Sequence, residues 1–419
     1  MNELMSFWGQ WLRPSAGLPI VQWALLLAVA SACGYLIYRH TGLPKVVGYS
    51  LVGMIAGLLG FSGGHWPLEG IGLFLIELAI SIVLFDAGGR IPWRWFRHNP
   101  MVLVQSVAES IFTYLAVYWS MLWLNVPREA AGPIALVAVA ASPAVVMRVV
   151  ADTRATGPVT DRAIVLATLS TLYALTFGGA HAQMLARPGS SFFEAVPPVL
   201  VMFGVSILMG ALLSLLIRLA LRYMSPASEN TSILVLALIA ACTATAAHLG
   251  GSAPMAALLG GMLIKQLHPR PWALPRMLGT ASSVITMMMF VLVSTVAAQA
   301  DWSGTIAASV LVLIVVRLAA KALGVAVGNA GSGASWRQAV WLGAALTPMS
   351  AIALLIASQF MSASPSTGAI IAGIALPTIL LMEVFGAVIA TAALYRAGEA
   401  HKPLAALPLP PSGEAPRES

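Results

Sequence analysis

The sequence predicts an all-α polytopic membrane protein with about thirteen transmembrane helices. Of its 419 residues, 59% are hydrophobic and only 9% are charged, whereas a soluble domain carries about 25% charged residues. Apolar runs able to cross a hydrocarbon layer about 30 Å thick follow one another from near residue 18 to near residue 393. This composition excludes a soluble protein and leaves no room for a sizeable globular domain.

Thirteen apolar runs, separated by short polar breaks, are the predicted spans. They cover residues 18–38, 44–60, 69–88, 101–124, 132–150, 162–185, 196–222, 230–249, 253–267, 278–298, 303–328, 336–360 and 366–393. Of the 22 Lys and Arg residues, 17 fall on one face of this arrangement and 3 on the other, while Arg317 and Lys321 lie within the eleventh span. The positive-inside rule therefore supports thirteen helices in the cell's inner membrane, with the N-terminus outside and the C-terminus in the cytoplasm.

The remaining composition indicates a single membrane domain. The net charge of +7 follows from the cytoplasmic loops, so it does not indicate a nucleic-acid partner. Cys33 and Cys242 lie in apolar runs, and we expect neither a metal site nor a cofactor. The absence of a P-loop and of a cytosolic catalytic domain argues against an enzyme. We assign residues 1–398 to one integral domain surrounded by the lipid bilayer, and the proline-containing residues 399–419 to a short disordered tail.

Two hydroxyl–proline pairs interrupt apolar runs near mid-membrane. Ser142-Pro143 lies in the fifth span, and Thr347-Pro348, followed closely by Ser350, lies in the twelfth. Proline removes a backbone donor and clashes with the preceding turn, so each pair predicts a discontinuous helix, although one proline alone is often a harmless kink. An offset of seven spans reverses direction across the membrane. The pairs therefore predict inverted repeats with two crossed broken helices, a pattern typical of a transporter's binding site.

Three ionisable residues lie deep within the predicted spans. Glu109, Lys321 and Glu383 are each about 10–15 Å from the cytoplasmic ends of their spans at 1.5 Å per residue. A buried ammonium must be paired, hydrated or deprotonated, so we regard Lys321 as the central residue. Glu109 is its candidate counter-ion by depth and by the same offset of seven spans, unless it is a protonated packing residue. Glu383 is a possible additional intramembrane acid, or a residue of the bundle interior without a transport role.

Other charged residues near helix ends have simpler interpretations. Glu77 lies toward the outer side and fits an interfacial anchor. Asp86 near Arg90, and Arg148 four residues before Asp152, fit local ion pairs.

Six segments, in family order, resemble the bacterial monovalent cation:proton antiporters of the second cation:proton antiporter family. They are LPKVVGYSLVGMIAGLLG (43–60), IELAISIVLFDAGGRI (76–91), SPAVVMRVV (142–150), APMAALLGGML (253–263), RLAAKALG (317–324) and ALTPMSAIAL (345–354). The first also carries Gly53 and Gly57, a small-xxx-small face suited to close packing either within or between subunits.

This resemblance implies a sodium/proton antiporter-like fold that works as an elevator. A core, here roughly residues 101–186 and 303–393, would slide against a dimerisation domain in a homodimer. The two hydroxyl–proline pairs match the family's helix crossover. Lys321 matches its eleventh-span lysine, which pairs with the ion-site aspartate in electrogenic members.

The sixth span departs from the family pattern. The family usually places an acidic pair there, but Ser170, Thr171 and Tyr173 occupy the corresponding region at the layer of Lys321. Hydroxyl groups coordinate a dehydrated cation but do not bind the competing proton.

Three functions remain open from the sequence. The first is exchange of Na⁺ or K⁺ for protons, with Lys321 or Glu109 carrying the proton and the cation held by Ser170, Thr171 and crossover carbonyls. The second is transport of an anion or organic acid by the same fold, and the third is a sensor or scaffold without transport. A channel fits matched inverted breaks less well than alternating access does.

Overall fold

The computed structural model describes residues 18–60, 70–91, 93–186, 192–225, 228–267, 276–300 and 302–401. These residues form helices and contain no strand, which confirms the predicted all-α fold class. In chain order the helices are α1 Leu18–Thr41, α2 Lys45–Leu58, α3 Gly70–Gly89, α4 Trp93–His98, α5 Met101–Trp123, α6 Arg128–Val139, α7 Pro143–Thr153, α8 Pro158–Leu185, α9 Phe192–Tyr223, α10 Glu229–His248, α11 Ala253–Leu267, α12 Arg276–Ala297, α13 Gly304–Val327, α14 Trp336–Ala345, α15 Ala351–Ala363 and α16 Pro365–Arg396.

Each predicted span coincides with one helix, or with two helices where a break was predicted. The pair α6 and α7 corresponds to the fifth span, and the pair α14 and α15 to the twelfth. Within the described ranges, seven segments are long and apolar enough to cross a membrane: α5, α6 joined to α7, α8, α9, α10, α13 and α16. The protein is therefore a multi-pass membrane protein. The total of thirteen crossings, and the orientation of the termini, stay predictions.

Helix packing follows the predicted inverted repeat. Helix α2 packs against α12, and the helices seven spans away from each, α11 and α3, pack against each other in the same way. Likewise α6 contacts α16, while their counterparts α14 and α8 contact each other. The same packing therefore recurs between helices seven spans apart, as expected for two repeats.

The helices pack most closely within two sets. The first set contains α5 to α8 and α13 to α16, and the second contains α1 to α3 and α9 to α12. Fewer contacts join the sets, and they are made by α16 with α2 and α12, by α7 with α2 and α3, and by α8 and α15 with the second set. Both helix breaks belong to the first set.

Gly53 and Gly57 bring α2 against α12 within one chain. A Cβ atom at either position would meet backbone atoms of α12, at Val291 and Thr295 respectively. The Thr295 hydroxyl also donates a hydrogen bond to the Gly53 carbonyl oxygen at 3.1 Å. Of the two arrangements open from the sequence, the structure therefore shows packing within the subunit.

We expect Gly57→Ala to lower the free energy of unfolding by about 1–3 kcal/mol, because the added methyl group overpacks a backbone contact. The measurement is the thermal midpoint of the detergent-solubilised protein. Gly204→Ala is the matched control, since a Cβ atom at Gly204 in α9 has no neighbour within 4 Å. Equal midpoints for the two variants would contradict the close packing described here.

The two predicted local ion pairs are present. Asp86 and Arg90 are 3.0 Å apart at the end of α3, and Arg148 and Asp152 are 3.3 Å apart in α7. The Asp152 carboxylate also accepts a hydrogen bond from the backbone N–H of Lys45 at 2.8 Å. This second bond ties the first turn of α2 to the end of α7.

Glu399, which we assigned to the disordered tail, is instead buried and bonded. Its carboxylate accepts hydrogen bonds from the backbone N–H groups of Val159 and Thr160 at 2.8 and 2.7 Å, and from the Thr160 hydroxyl at 2.8 Å. It therefore caps the first turn of α8, where free N–H groups and the helix dipole favour an anion. The remaining tail, from residue 402, lies outside the described residues.

Candidate functional site

The two predicted helix breaks are present and touch each other. Helix α6 ends at Val139 and α7 begins at Pro143, while α14 ends at Ala345 and α15 begins at Ala351. The backbone N–H of Ser142 donates to the carbonyl oxygen of Pro348 at 2.9 Å, which joins the breaks directly. The Ser142 hydroxyl accepts from the Val145 N–H at 3.3 Å and so caps α7.

Arg317 of α13 holds both breaks together. Its guanidinium donates to the carbonyl oxygens of Ala138 at 2.8 Å and Ala140 at 2.9 Å, and also to that of Thr347 in the second break. The side chain has no exposed surface. Broken helices leave carbonyl groups without intrahelical partners, and a planar fork of donors satisfies several of them at once.

Lys321, one turn after Arg317 on the same helix, pairs with Glu109 of α5. Both side chains are fully buried, and the ammonium contacts one carboxylate oxygen. The ammonium also donates to the Val139 carbonyl oxygen at 3.2 Å. Gly324 permits this arrangement, because a Cβ atom there would collide with the backbone of Glu109. The predicted pairing of Lys321 with Glu109 is therefore present, and it lies against the first break.

The hydroxyl groups of α8 differ in their relation to the break. The Thr171 hydroxyl donates to the Ala141 carbonyl oxygen at 2.7 Å, whereas the Ser170 hydroxyl donates to Ala167 within its own helix at 3.3 Å. With Thr171, each carbonyl of residues 138–141 accepts a side-chain hydrogen bond. The end of α6 is thus satisfied by two cationic side chains and a hydroxyl, which also suits the negative end of a helix dipole.

A cavity of about 610 Å³ adjoins the Lys321–Glu109 pair. Its lining includes Val139, whose carbonyl binds Lys321, and Ser110, whose hydroxyl donates to the second Glu109 oxygen at 3.1 Å. Tyr173 lines the same cavity and accepts a long hydrogen bond from Ser106 at 3.5 Å. Tyr173 therefore belongs to the surroundings of the pair rather than to the break itself.

Glu383 of α16 lies at the second break and is bonded there to serine hydroxyls. Ser350 donates to one of its carboxylate oxygens at 2.9 Å, while Ser50 and Ser294 donate to the other at 2.6 and 3.1 Å. The carboxylate has no exposed surface. These serines come from α2, from α12 and from the residue preceding α15, so Glu383 bridges the two helix sets.

Sequence reasoning did not identify Arg317 as a site residue. Its partners are backbone carbonyls, which carry no sequence signature, so only its four-residue spacing from Lys321 could have suggested a shared face. Ser50 and Ser294 beside Glu383 were also missed, whereas Ser350 was predicted as part of the second break. Within the described ranges, no group of three or more His, Cys, Asp or Glu side chains is placed to hold a metal ion.

Comparisons with known proteins agree with this fold. Residues 26–394 match the family model described as "Sodium/hydrogen exchanger, transmembrane". Two structures of the sodium proton antiporter MjNhaP1 from Methanocaldococcus jannaschii have a similar fold, each with a TM-score of 0.69. One, at pH 8, is 15% identical and covers 90% of this chain and 98% of its own. The other, an electron microscopy map, is 16% identical and covers 93% and 100%. No curated protein matches the sequence.

Proposed function

Because the chain belongs to the sodium/hydrogen exchanger family of membrane transporters, we propose that it exchanges a monovalent cation, Na⁺ or K⁺, for protons. A member of this family is a transporter and not an enzyme. The two solved structures with the same fold are of a sodium proton antiporter, which supports a proton as one of the two transported ions.

The observation that carries the proposal is the buried Lys321–Glu109 pair against the first break. An ammonium without access to water is stable only with a counter-charge, and Glu109 supplies it. Loss of a proton from this pair would leave a net negative charge beside the breaks, which favours a cation there. Return of the proton would remove that attraction, so the pair can couple proton and cation occupancy.

The same pair argues against transport of an anion. An anion site needs positive charge that is not already neutralised, and here Glu109 faces the ammonium while Arg317 is engaged with three carbonyl oxygens. A sensor or scaffold without transport would not require a buried ion pair beside the first break. The oxygen-rich second break, with the Glu383 carboxylate and its serines, also suits a cation.

We propose alternating access by movement of the first helix set against the second. In this proposal the first set, which contains both breaks, is the core expected at residues 101–186 and 303–393, and the second set holds the homodimer interface. Ser170, Thr171 and the break carbonyls of residues 138–141, which the sequence suggested as cation ligands, already take part in hydrogen bonds within the protein. The transported cation is therefore expected to bind at other oxygen atoms beside the breaks. The proposed location is the inner membrane, with the N-terminus outside.

Reconstituted vesicles provide the test. The purified full-length protein is placed in vesicles that contain a pH-reporting dye and an imposed proton gradient, and NaCl, KCl, LiCl or choline chloride is then added. We expect the dye signal to recover with Na⁺ or K⁺ but not with choline, because choline is too large for a site built for a dehydrated ion. Vesicles without protein are the control.

Two results would contradict the proposal. One is a dye signal that does not recover with any inorganic cation, although size-exclusion chromatography shows that the purified protein is folded. The other is recovery that follows an added organic acid and does not depend on the cation, which would indicate the anion function instead.

A further inference from the structure

Glu383 and its three serines form an enclosed group of oxygen atoms at the second helix break. We propose that this cluster, Glu383 with Ser50, Ser294 and Ser350, is the binding site of the transported cation, and that Glu383 is the carboxylate that binds either the cation or a proton. The proposal rests on the cation:proton exchange proposed above, and names the site at which the cation is bound.

The Glu383 carboxylate is buried without an opposite charge among the described residues. A carboxylate removed from water is unstable unless it is protonated or neutralised by a positive charge. Glu109 has Lys321 for this purpose. Glu383 has no basic partner among the described residues, because its recorded hydrogen bonds are all with serine hydroxyls. A bound proton or a bound cation would supply the positive charge that no described side chain provides.

The basic groups on the helices around Glu383 are engaged elsewhere. On α13, Arg317 binds the break carbonyls and Lys321 binds Glu109. On α7, Arg148 lies beside Asp152, and the Lys45 ammonium at the start of α2 lies over the ring of Tyr38. Three further charged residues are exposed: Arg337 near the start of α14, and Arg128 and Glu129 at the start of α6. The hydroxyl of Tyr49, the residue before Ser50, accepts a hydrogen bond from Arg148 at 3.2 Å. Among the described residues, no lysine or arginine forms an ion pair with Glu383.

The ligands offered by the cluster are all oxygen atoms. Each of the three serine hydroxyl oxygens lies within hydrogen-bond distance of one of the two Glu383 carboxylate oxygens. Each hydroxyl can rotate, so that it donates to an empty carboxylate and offers a lone pair when a cation is present. An all-oxygen set with one negative charge suits a hard monovalent cation and does not suit a soft or strongly bound metal.

The cluster lies where the two helix sets meet. Ser350 belongs to the break, whereas Ser50 and Ser294 belong to α2 and α12 of the second helix set. Movement of one set against the other would therefore separate Glu383 from two of its three hydroxyls and change the affinity of the cluster. Helix α16 is also the inverted counterpart of α8, whose mid-membrane residues Ser170 and Thr171 include no carboxylate.

The exchange step is balanced without any further reactant. A protonated Glu383 releases H⁺ from its carboxyl group as one cation takes its place on the carboxylate and hydroxyl oxygens. The reverse step releases the cation to the other side when the proton returns. The cluster is neutral in both states, which keeps the cost of burial small during the movement.

Proton release on cation binding tests this site directly. The purified protein is placed in a weakly buffered detergent solution with a pH indicator, and NaCl or KCl is titrated against choline chloride. We expect saturable proton release from the wild-type protein, and a fall in Glu383→Gln to the level seen with choline. Ser294→Ala should raise the half-saturating cation concentration about tenfold while leaving the protons released at saturation unchanged, since it removes one ligand but not the acid.

Controls and vesicle transport separate the possible failures. Thr391→Val is the matched control, because the Thr391 hydroxyl is buried on the same helix but bonds only to Ala387 within it. If Glu383→Gln does not fold, Glu383→Asp and Ser50→Ala replace it, and both should weaken cation-dependent release. Wild-type exchange together with normal proton release in Glu383→Gln, or with an unchanged half-saturating cation concentration in the serine variants, would overturn the site and leave the proposed function standing. A wild-type protein silent in both assays would overturn the proposed function itself.

Discussion

Replacement of Arg317 with alanine is expected to abolish exchange and to lower the thermal midpoint of the detergent-solubilised protein by about 10 °C or more. The side chain binds carbonyl oxygens in both breaks, at Ala138, Ala140 and Thr347. Without it, these buried acceptors lose their partners at a cost of about 1–3 kcal/mol each. We expect this loss to exceed that of any surface substitution, because both halves of the crossover depend on one guanidinium.

Arg317→Lys separates charge from geometry in this prediction. Lysine keeps the positive charge but offers a single ammonium in place of a planar fork, so it cannot reach three carbonyl oxygens in the same way. We expect it to recover little of the lost stability. Arg128→Ala is the control, since Arg128 is exposed at the start of α6. Wild-type midpoints and exchange rates in both Arg317 variants would show that the fork does not hold the breaks.

The second large effect is expected from the Lys321–Glu109 pair. Glu109→Gln leaves a fully buried ammonium without its counter-charge, and Lys321→Met leaves a buried carboxylate. Each single change should lower the free energy of unfolding by about 3–5 kcal/mol, whereas the double variant, with neither charge, should recover most of that loss. The exchange activity should be absent in all three, because the charges that couple proton and cation occupancy beside the breaks are gone.

A double-mutant cycle measures this coupling. Thermal or denaturant unfolding is followed in detergent for the wild type, the two single variants and the double variant, and the coupling energy is the departure from additivity. Recovered stability without recovered exchange is the expected pattern. Additive losses would mean that the two charges do not depend on each other, and retained exchange in the double variant would remove the pair from the proposed mechanism.

The sequence predicts the helix breaks and the Lys321–Glu109 pairing for physical reasons. Proline within an apolar run limits the backbone to a few conformations, and a buried lysine requires an acid at the same depth. Both arguments depend on residue type and distance along the chain. The inverted offset of seven spans, which is read from the order of apolar runs, adds the antiparallel relation of Pro143 and Pro348.

Depth alone was not sufficient to group the buried acids. Glu109, Lys321 and Glu383 were expected to share one layer, but the structure pairs the first two and surrounds the third with serines from separate segments. Nothing in an apolar run indicates which face of α2 or α12 meets α16. The contacts of Ser50 and Ser294 with Glu383 therefore could not be predicted from the sequence. The tail boundary was misplaced because the capping role of Glu399 depends on a long-range contact with α8.

The bond between Glu399 and the first turn of α8 bears on how this chain is engineered. Helices α8 and α16 are inverted counterparts, the last helix of each half. The Glu399 carboxylate, just after α16, accepts hydrogen bonds from the first turn of α8 and so links the two helices. A fluorescent or affinity tag joined beyond His401 would leave these hydrogen bonds intact. Shortening the polypeptide to Arg396 would remove this bond and leave the first turn of α8 without its cap.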